Sequence, residues 1–429
     1  GLPISVCLPK ISAGKFPVNA LVSEAGSALS SLAVCQRPKS GVVRMSNSDL
    51  IFDGPRPTAV FLPFDLAQVI DDWGLVRSAM SRGIADGFKR SEWAYLLEFV
   101  APDNLWGVYE QTFGKRADRN SPVPLQIARP LGDVTVWLPN NVSLLGPLTM
   151  VLLSVTGTRM HLKGGSKSAD LTGSFLEFVR SVLPGTALGK HLDERVEHAS
   201  FDRSDTRNQS WSAQSDARIV FGADDAARQI DEMPHPLASK LFAFIDRRSE
   251  AWVSALDRSP LIAEQIVKVF EIYGQTGCTS PRRVVVIDGS EQDALILRNE
   301  LVLAWEDSRK HAPEPHVVSA NVMVRQWAAS EGWDAVMPAD NGAVFAAGPS
   351  NLAPVEGQML LPVVAQSAAE ASLDLPENVQ TVGFGGPDSV TSAWRTTLNT
   401  TRTKRIVPLC EMHFFGPLWD GMEFWRQMF

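Results

Sequence analysis

The stretch that most limits the possible folds runs from residue 131 to about residue 346. In it, short β-branched or apolar runs take turns with longer segments of helical periodicity. Val134-Thr-Val-Trp137 predicts a strand, Ser143 to Val155 a buried helix, Arg159-Met-His-Leu162 a strand and Ala169 to Leu183 a helix. Arg218-Ile-Val-Phe221 and Asp224 to Ile230 repeat the pair. A second series follows. Leu241 to Ile245 and Ala251 to Val253 read as short strands, and Pro260 to Gly274 as a helix with Ile262, Ile266, Val269 and Phe270 on one face. Val284 to Ile287 is then a strand and Glu291 to Trp305 a long helix; Val317-Val318 and Ala343 to Ala346 continue the alternation. Parallel strands need a crossover, and a helix is what usually fills it, so this pattern argues for an α/β fold of doubly wound, mostly parallel sheets. Such sheets take ligands at the carboxyl ends of their strands.

The flanks are less regular. Residues 1 to about 57 are a Ser-, Pro- and Gly-rich lead-in, and Ala59 to Leu62 reads as a short strand. Leu66 to Val100 is largely helical, with Val69, Ile70, Trp73, Leu75 and Val76 at helical spacing, whereas 102–130 carries turn signals including Pro122, Pro124 and Pro130. Residues 196–215 are polar enough for a surface excursion. The tail, Arg405 to Phe429, is dense in aromatic residues and should pack back on the body or on a neighbouring subunit of a homo-oligomer. The expected units are 1–245, 246–404 and a closing segment 405–429.

The net charge of −8 is spread along 429 residues without a basic block, which argues against nucleic acid as a partner. The apolar stretch from Leu144 to Val155 is too short for a bilayer and is broken by Gly146-Pro147, and the amino terminus lacks a signal-peptide pattern. Cys7, Cys35, Cys278 and Cys410 lie far apart with no CxxC, so a reducing cytoplasm is expected rather than a disulfide framework. The seven histidines form no HxxxH or HExxH group, so no metal site is expected. Neither GxSxG nor a P-loop is present.

The strongest chemical candidate is Cys278, in Tyr273-Gly-Gln-Thr-Gly-Cys278-Thr-Ser-Pro-Arg-Arg283. A helix ends there at a Gly-rich bend and a β-branched run leads away. Most free cysteines are small buried hydrophobes. This one is flanked by Gly277, Thr279 and Ser280, a setting in which backbone N–H groups can lower a thiol pKa and hold an oxyanion. Asn141 follows a strand and precedes an apolar helix; it is either a turn asparagine or an amide donor to an oxyanion. Lys163 opens a loop, Lys163-Gly-Gly-Ser166-Lys167, as a solvated cation or as a contact to the ribose of a dinucleotide. Gly222, between a strand and a helix, leaves room for a phosphate at a helix amino end.

In this order, these residues resemble the aldehyde dehydrogenase superfamily, and more closely its acyl-CoA reductase branch, the LuxC-type long-chain fatty acyl reductases of bacterial bioluminescence. The likeness runs from about residue 130 to the end. Gly274-Gln-Thr-Gly-Cys278-Thr-Ser-Pro-Arg-Arg-Val284 is similar to that branch's catalytic-cysteine segment, and Pro139-Asn-Asn141-Val-Ser-Leu-Leu145 to the superfamily's oxyanion-asparagine turn. His161-Leu-Lys163-Gly-Gly-Ser166 resembles the lysine motif that holds the adenosine ribose. Arg405-Ile-Val-Pro-Leu409 and Trp419-Asp-Gly421 resemble the closing segment.

The resemblance implies two Rossmann-type domains of aldehyde-dehydrogenase kind and a nucleophile at Cys278 with a donor at Asn141. It further implies reduction of an acyl thioester, carried by coenzyme A or by an acyl-transfer or carrier protein, to an aldehyde. NADPH is preferred over NADH because Ser166 stands where NAD-specific relatives often place a Glu, with the cation Lys167 beside it. Three departures accompany it. The Glu that activates water in hydrolytic members is missing, and Asp246 is the nearest carboxylate in that region. The phosphate turn is reduced to Gly222-Ala-Asp-Asp225. Glu411 and Phe415 only approximate the segment that holds the nicotinamide ribose. The rival expectations are a hydrolytic aldehyde dehydrogenase and a non-catalytic binding protein on the same fold.

Overall fold

The computed structural model describes residues 60–62, 65–114, 126–165, 171–245, 247–256, 259–271, 275, 277–308, 312–357 and 359–429. The lead-in with Cys7 and Cys35, and the candidates Asp246, Ser166 and Lys167, lie outside these residues.

A two-residue strand, β1 (Val60–Phe61), pairs in parallel with β2 (Gln126–Ile127). Between them stand α1 (Leu66–Met80), α2 (Arg90–Phe99) and α3 (Pro102–Phe113). Two expectations are corrected here. The helical run from 66 to 100 is two helices, parted at residues 81–89, where Gly87 takes φ +85°. The turn-rich segment begins as a helix: Pro102 occupies its first position, where a missing N–H costs nothing.

The first sheet is β3 (Asp133–Trp137), β4 (Arg159–Gly164), β5 (Val196–Ser200), β6 (Ala217–Gly222) and β7 (Lys240–Ile245). Its order is β5-β4-β3-β6-β7, all parallel. The order reverses at β3, so a crevice opens at the carboxyl ends of β3 and β6. Its helices are α4 (Leu145–Ser154), α5 (Leu171–Val182), α6 (Ala187–Arg195), α7 (Arg207–Gln214) and α8 (Asp224–Asp231). Burial on both faces explains why β3 and β6 read as continuous apolar runs. Helix α4 is buried along almost its whole length. Gly146 lets it touch α5, since a Cβ there would sit 1.9 Å from Thr172 Oγ1. The polar segment 196–215 is not an excursion. It forms the edge strand β5 and α7, and half of an edge strand faces water. Lys163 and Gly164 likewise belong to β4 rather than to a loop.

The second sheet starts with β8 (Arg248–Ser254), followed by α9 (Pro260–Glu271), β9 (Pro281–Ile287), α10 (Glu291–Ser308) and α11 (Pro315–Ser330). Then come β10 (Asp334–Val336), β11 (Val344–Ala347), β12 (Leu360–Gln366), α12 (Ala368–Leu373), β13 (Val379–Gly385), α13 (Asp388–Leu398) and β14 (Arg405–Pro408). The order is β10-β11-β12-β9-β8-β13-β14, parallel except for β10 against β11. Val317 and Val318, read as part of a strand, lie in α11: a β-branched pair is a weak signal beside a helix that opens on Pro315.

Near the amino end of β8 the ladder is irregular on both sides. Toward β13 the register steps from Arg248 opposite Val379 to Ser249 opposite Thr381, which leaves Gln380 as an extra residue. Toward β9 it steps from Ser249 opposite Pro281 to Ala251 opposite Val284. Bulges of this kind bend a strand and re-aim side chains.

The aromatic tail packs on its own body. Phe415, Trp419, Phe424, Trp425 and Met428 enter the core of the first unit. Trp425 is fully buried and donates to Leu152 O at 2.9 Å, and Phe424 meets Phe242 and Phe244 edge-on at 6.2 and 5.8 Å. A chain leaving the second sheet thus ends in the first core, clasping the two units together.

Candidate active site

Cys278 sits in the turn closed by Ser280 N–H on Gly277 O, directly before β9. Two anchors hold this loop. Gln275 takes φ 63°, costly for a residue with a Cβ, and its buried amide donates to Pro281 O (3.2 Å) and Leu360 O (2.8 Å). Ser249 Oγ donates to Cys278 O at 2.7 Å. The loop therefore lies at the amino ends of β8 and β9, not at the carboxyl ends where ligands usually meet such sheets. A nucleophile there faces the other unit: partly buried Cys278 packs against the first core, which includes Phe415, Trp419 and Phe424.

Among the described residues Cys278 is a free cysteine. The thiol is not activated as expected. Burial pushes it up to about 11, and the Asp420 carboxylate adds to the rise; the Gln380 amide, Arg405 and the residue's own backbone N–H pull the other way without prevailing. The turn's N–H groups are too few to outweigh an apolar, partly anionic setting.

The tail supplies most of the surroundings. Asp420, with its side chain wholly buried and φ 51°, pairs with Arg247 Nε at 2.7 Å, and burial raises its carboxyl. Arg405 donates to Met412 O (3.2 Å) and Glu411 O (3.3 Å) and lies 5.0 Å from the Trp419 ring. His413 Nε2 meets Val269 O at 2.7 Å, so that nitrogen carries the proton; Nδ1 then accepts from Thr279 Oγ1 at 2.6 Å. Burial lowers His413 to about 4. Neutral and engaged at both nitrogens, it is a strut between α9, the cysteine turn and the tail. Tyr95 of α2 donates to His413 O and accepts from Phe415 N–H.

Asn141 is exposed on the bend between β3 and α4, beside the first sheet's crevice. Lys163 ends the crevice side of β4. It is buried rather than solvated, desolvation lowers its pKa, and its ammonium lies 5.6 Å from the Phe201 ring with no hydrogen-bond acceptor among the described residues. Gly222 closes β6, where a Cβ would meet only Ala226 at 3.7 Å, so the fold does not itself require a glycine there. Asp224 and Asp225 stand in the first turn of α8. Glu411 is exposed, whereas Phe415 is buried in the aromatic core, 4.8 Å from Trp419. That packing makes Phe415 a core residue, leaving Glu411 as the polar group of its segment. The sequence reading passed over Ser249, Gln380 and Arg247. For Gln380, the available signal was an amide inside an otherwise apolar strand.

The LuxC family, described as acyl-CoA reductase, matches residues 95–325, more than half of the chain. The chain belongs to the LuxC acyl-CoA reductase family. No curated protein gives a match. Solved structures share its fold. An oxidoreductase from Marinobacter aquaeolei superposes with a TM-score of 0.61 at 11% identity, over 96% of this chain and 89% of that one. Aldehyde dehydrogenase 21 from Physcomitrella patens, in complex with succinate, gives 0.59 at 10% identity over 85% of each chain. Succinic semialdehyde dehydrogenase from Streptococcus pyogenes, in complex with NADP+, gives 0.55 at 13% identity over 80% and 82%. The fold is that of the aldehyde dehydrogenases. Family and fold together make this LuxC-family chain an oxidoreductase of aldehyde chemistry. No described helix is long and apolar enough to cross a membrane.

Proposed function

We propose that this LuxC-family protein reduces an acyl thioester to an aldehyde through an acyl-Cys278 intermediate. The observation that carries the reading is a free, partly buried thiol on an anchored turn, held against the other unit's core in a chain of this family. The sulfur attacks the thioester carbonyl, with Asn141 and the Cys278 backbone N–H as oxyanion donors. The donor thiol leaves and the acyl group stays on sulfur. A bound reduced nicotinamide supplies hydride. The resulting thiohemiacetal collapses, its hydroxyl proton departs, the carbon–sulfur bond breaks and aldehyde is released with free Cys278. Packing by the tail aromatics limits water at the sulfur, which protects the acyl group from hydrolysis.

A nicotinamide dinucleotide suits the first crevice. Lys163 offers a buried donor with no acceptor among the described residues, and Gly222 offers open space at a strand end. The S. pyogenes neighbour was captured with NADP+. Ser166 and Lys167 favour NADPH over NADH, as a neutral residue and a cation suit a 2′-phosphate. Titrating both nucleotides against tryptophan fluorescence should give the tighter constant for NADPH; equal or reversed affinities would remove the preference. Asn141→Ala should slow turnover by roughly 10²–10³-fold, the cost of one oxyanion donor at about 2.7–4 kcal/mol.

Hydrolytic use of the same cysteine needs a base for water. His413 is committed at both nitrogens, and Glu250 is committed to Arg283. Intact-protein mass spectrometry after exposure to acyl-CoA without reductant tests the proposal. The expected result is a persistent acyl adduct that NADPH discharges as aldehyde. Release of free acid instead would favour hydrolysis, and absence of any adduct would favour a binding protein.

A further inference from the structure

Beside the proposed nucleophile stands a residue that folding alone does not account for. Gln380 is fully buried, and among the described residues neither atom of its side-chain amide has a hydrogen-bond partner. Leaving a buried amide unpaired costs about 1–3 kcal/mol. Its strand is otherwise largely apolar, with Val379, Val382 and Phe384 filling comparable space. Gln380 is also the extra residue of the bulge between β13 and β8, one step from the Ser249–Thr381 pair. Ser249 is the residue that holds Cys278 O. The bulge therefore sets an uncommitted amide beside the cysteine turn, and Gln380 is among the groups that pull the Cys278 thiol down against its burial.

We propose that Gln380 is a further catalytic residue of this site, its Nε2–H donating to the Cys278 sulfur whenever that sulfur carries charge. This rests on the reading of Cys278 as nucleophile and adds a residue to it. Charge appears twice. Before attack, the thiol loses its proton to solvent; the thiolate then forms the carbon–sulfur bond as the donor's thiolate leaves. At the end, collapse of the thiohemiacetal breaks that bond and returns the electron pair to sulfur. A neutral amide suits both moments because it supports the anion without trapping it as a permanent ion pair. Of the groups that favour charge on the sulfur, Gln380 acts most strongly. Asp420 of the tail opposes the charge and is itself held by Arg247 with Lys404 nearby. Arg405 of β14 favours the charge, but its guanidinium is tied to Met412 O, Glu411 O and the Trp419 ring and shares its field with Tyr95.

The test is the pH profile of iodoacetamide alkylation at Cys278 in the full chain, read from the mass of the Cys278 peptide. Gln380→Met keeps the volume and removes the donor; it should slow alkylation about tenfold at about pH 8, the size of a hydrogen bond to a charged group. Gln380→Glu should slow it further, because a carboxylate repels the thiolate. Gln380→Asn withdraws the amide by one methylene, should fall between wild type and Gln380→Met, and gives a second measurement if the methionine variant misfolds. With acyl-CoA, kcat should fall while KM holds. Superimposable profiles for wild type and folded variants would overturn the assignment of Gln380. A wild-type Cys278 that takes no acyl group would instead overturn the nucleophile itself, so the two failures are distinguishable.

Discussion

Cys278→Ala should abolish aldehyde formation from an acyl thioester and the acyl adduct with it, while nucleotide binding at the first crevice should be retained. The separation is expected because Lys163 and Gly222 belong to strands β4 and β6 of the first sheet, whereas the sulfur rides on a turn of the second. The wild-type protein adds a pH signature. With the thiol pushed up to about 11, the free enzyme holds only a small thiolate fraction near neutrality. Alkylation of Cys278 should therefore climb about tenfold per pH unit until the pH approaches that value. A plateau near neutrality would mean that the site lowers the thiol instead, and turnover surviving in the alanine variant would end the assignment.

The largest effect on stability is expected from Arg283→Met. Glu250 is buried on β8, and Arg283 grips it with two hydrogen bonds of 3.0 Å, while Trp252 Nε1 adds a third at 3.3 Å. The irregular register between β8 and β9 sets the two residues side by side. Removing the cation strands a carboxylate in a low-dielectric interior, which typically costs about 3–5 kcal/mol. The pH dependence follows from the direction of the shift. Burial already raises the Glu250 carboxyl despite Arg283, and losing the cation raises it further. A carboxyl raised in the fold prefers its proton there, so its contribution is most favourable below the ordinary carboxylate range and is lost as pH rises through the raised value. The variant should thus be most damaged at alkaline pH and partly relieved in acid. Urea unfolding at two pH values measures this. Exchanging both partners, Glu250→Leu with Arg283→Met, should recover much of the loss, because the desolvated charge disappears with its partner.

Much of the fold was legible because hydrophobic period is a local property. Val134 to Trp137 and Arg218 to Phe221 announced buried parallel strands by continuous apolar runs, and the alternation with helices required crossovers. The misreadings occurred where local pattern and tertiary role diverge. Val196 to Ser200 looks polar because it forms a sheet edge, and Val317-Val318 looks extended but follows a helix-opening proline. Cys278 and Asn141 could be singled out as residues punctuating the ends of elements. Gln380 showed only as an amide in an apolar run, because its significance depends on a register slip between strands more than a hundred residues apart in the chain.

The sequence by itself determined the alternation of strand and helix, the Gly-flanked cysteine turn and the need of an aromatic tail for cover, since each follows from the spacing of residue types. Only the tertiary structure decided that the tail covers its own chain's first core, that His413 is spent as a strut, and that the sulfur meets Asp420, Arg405 and Gln380. Those contacts join segments distant in sequence. Burial then sets their charge states, as one low-dielectric cleft raises the thiol and lowers the histidine together.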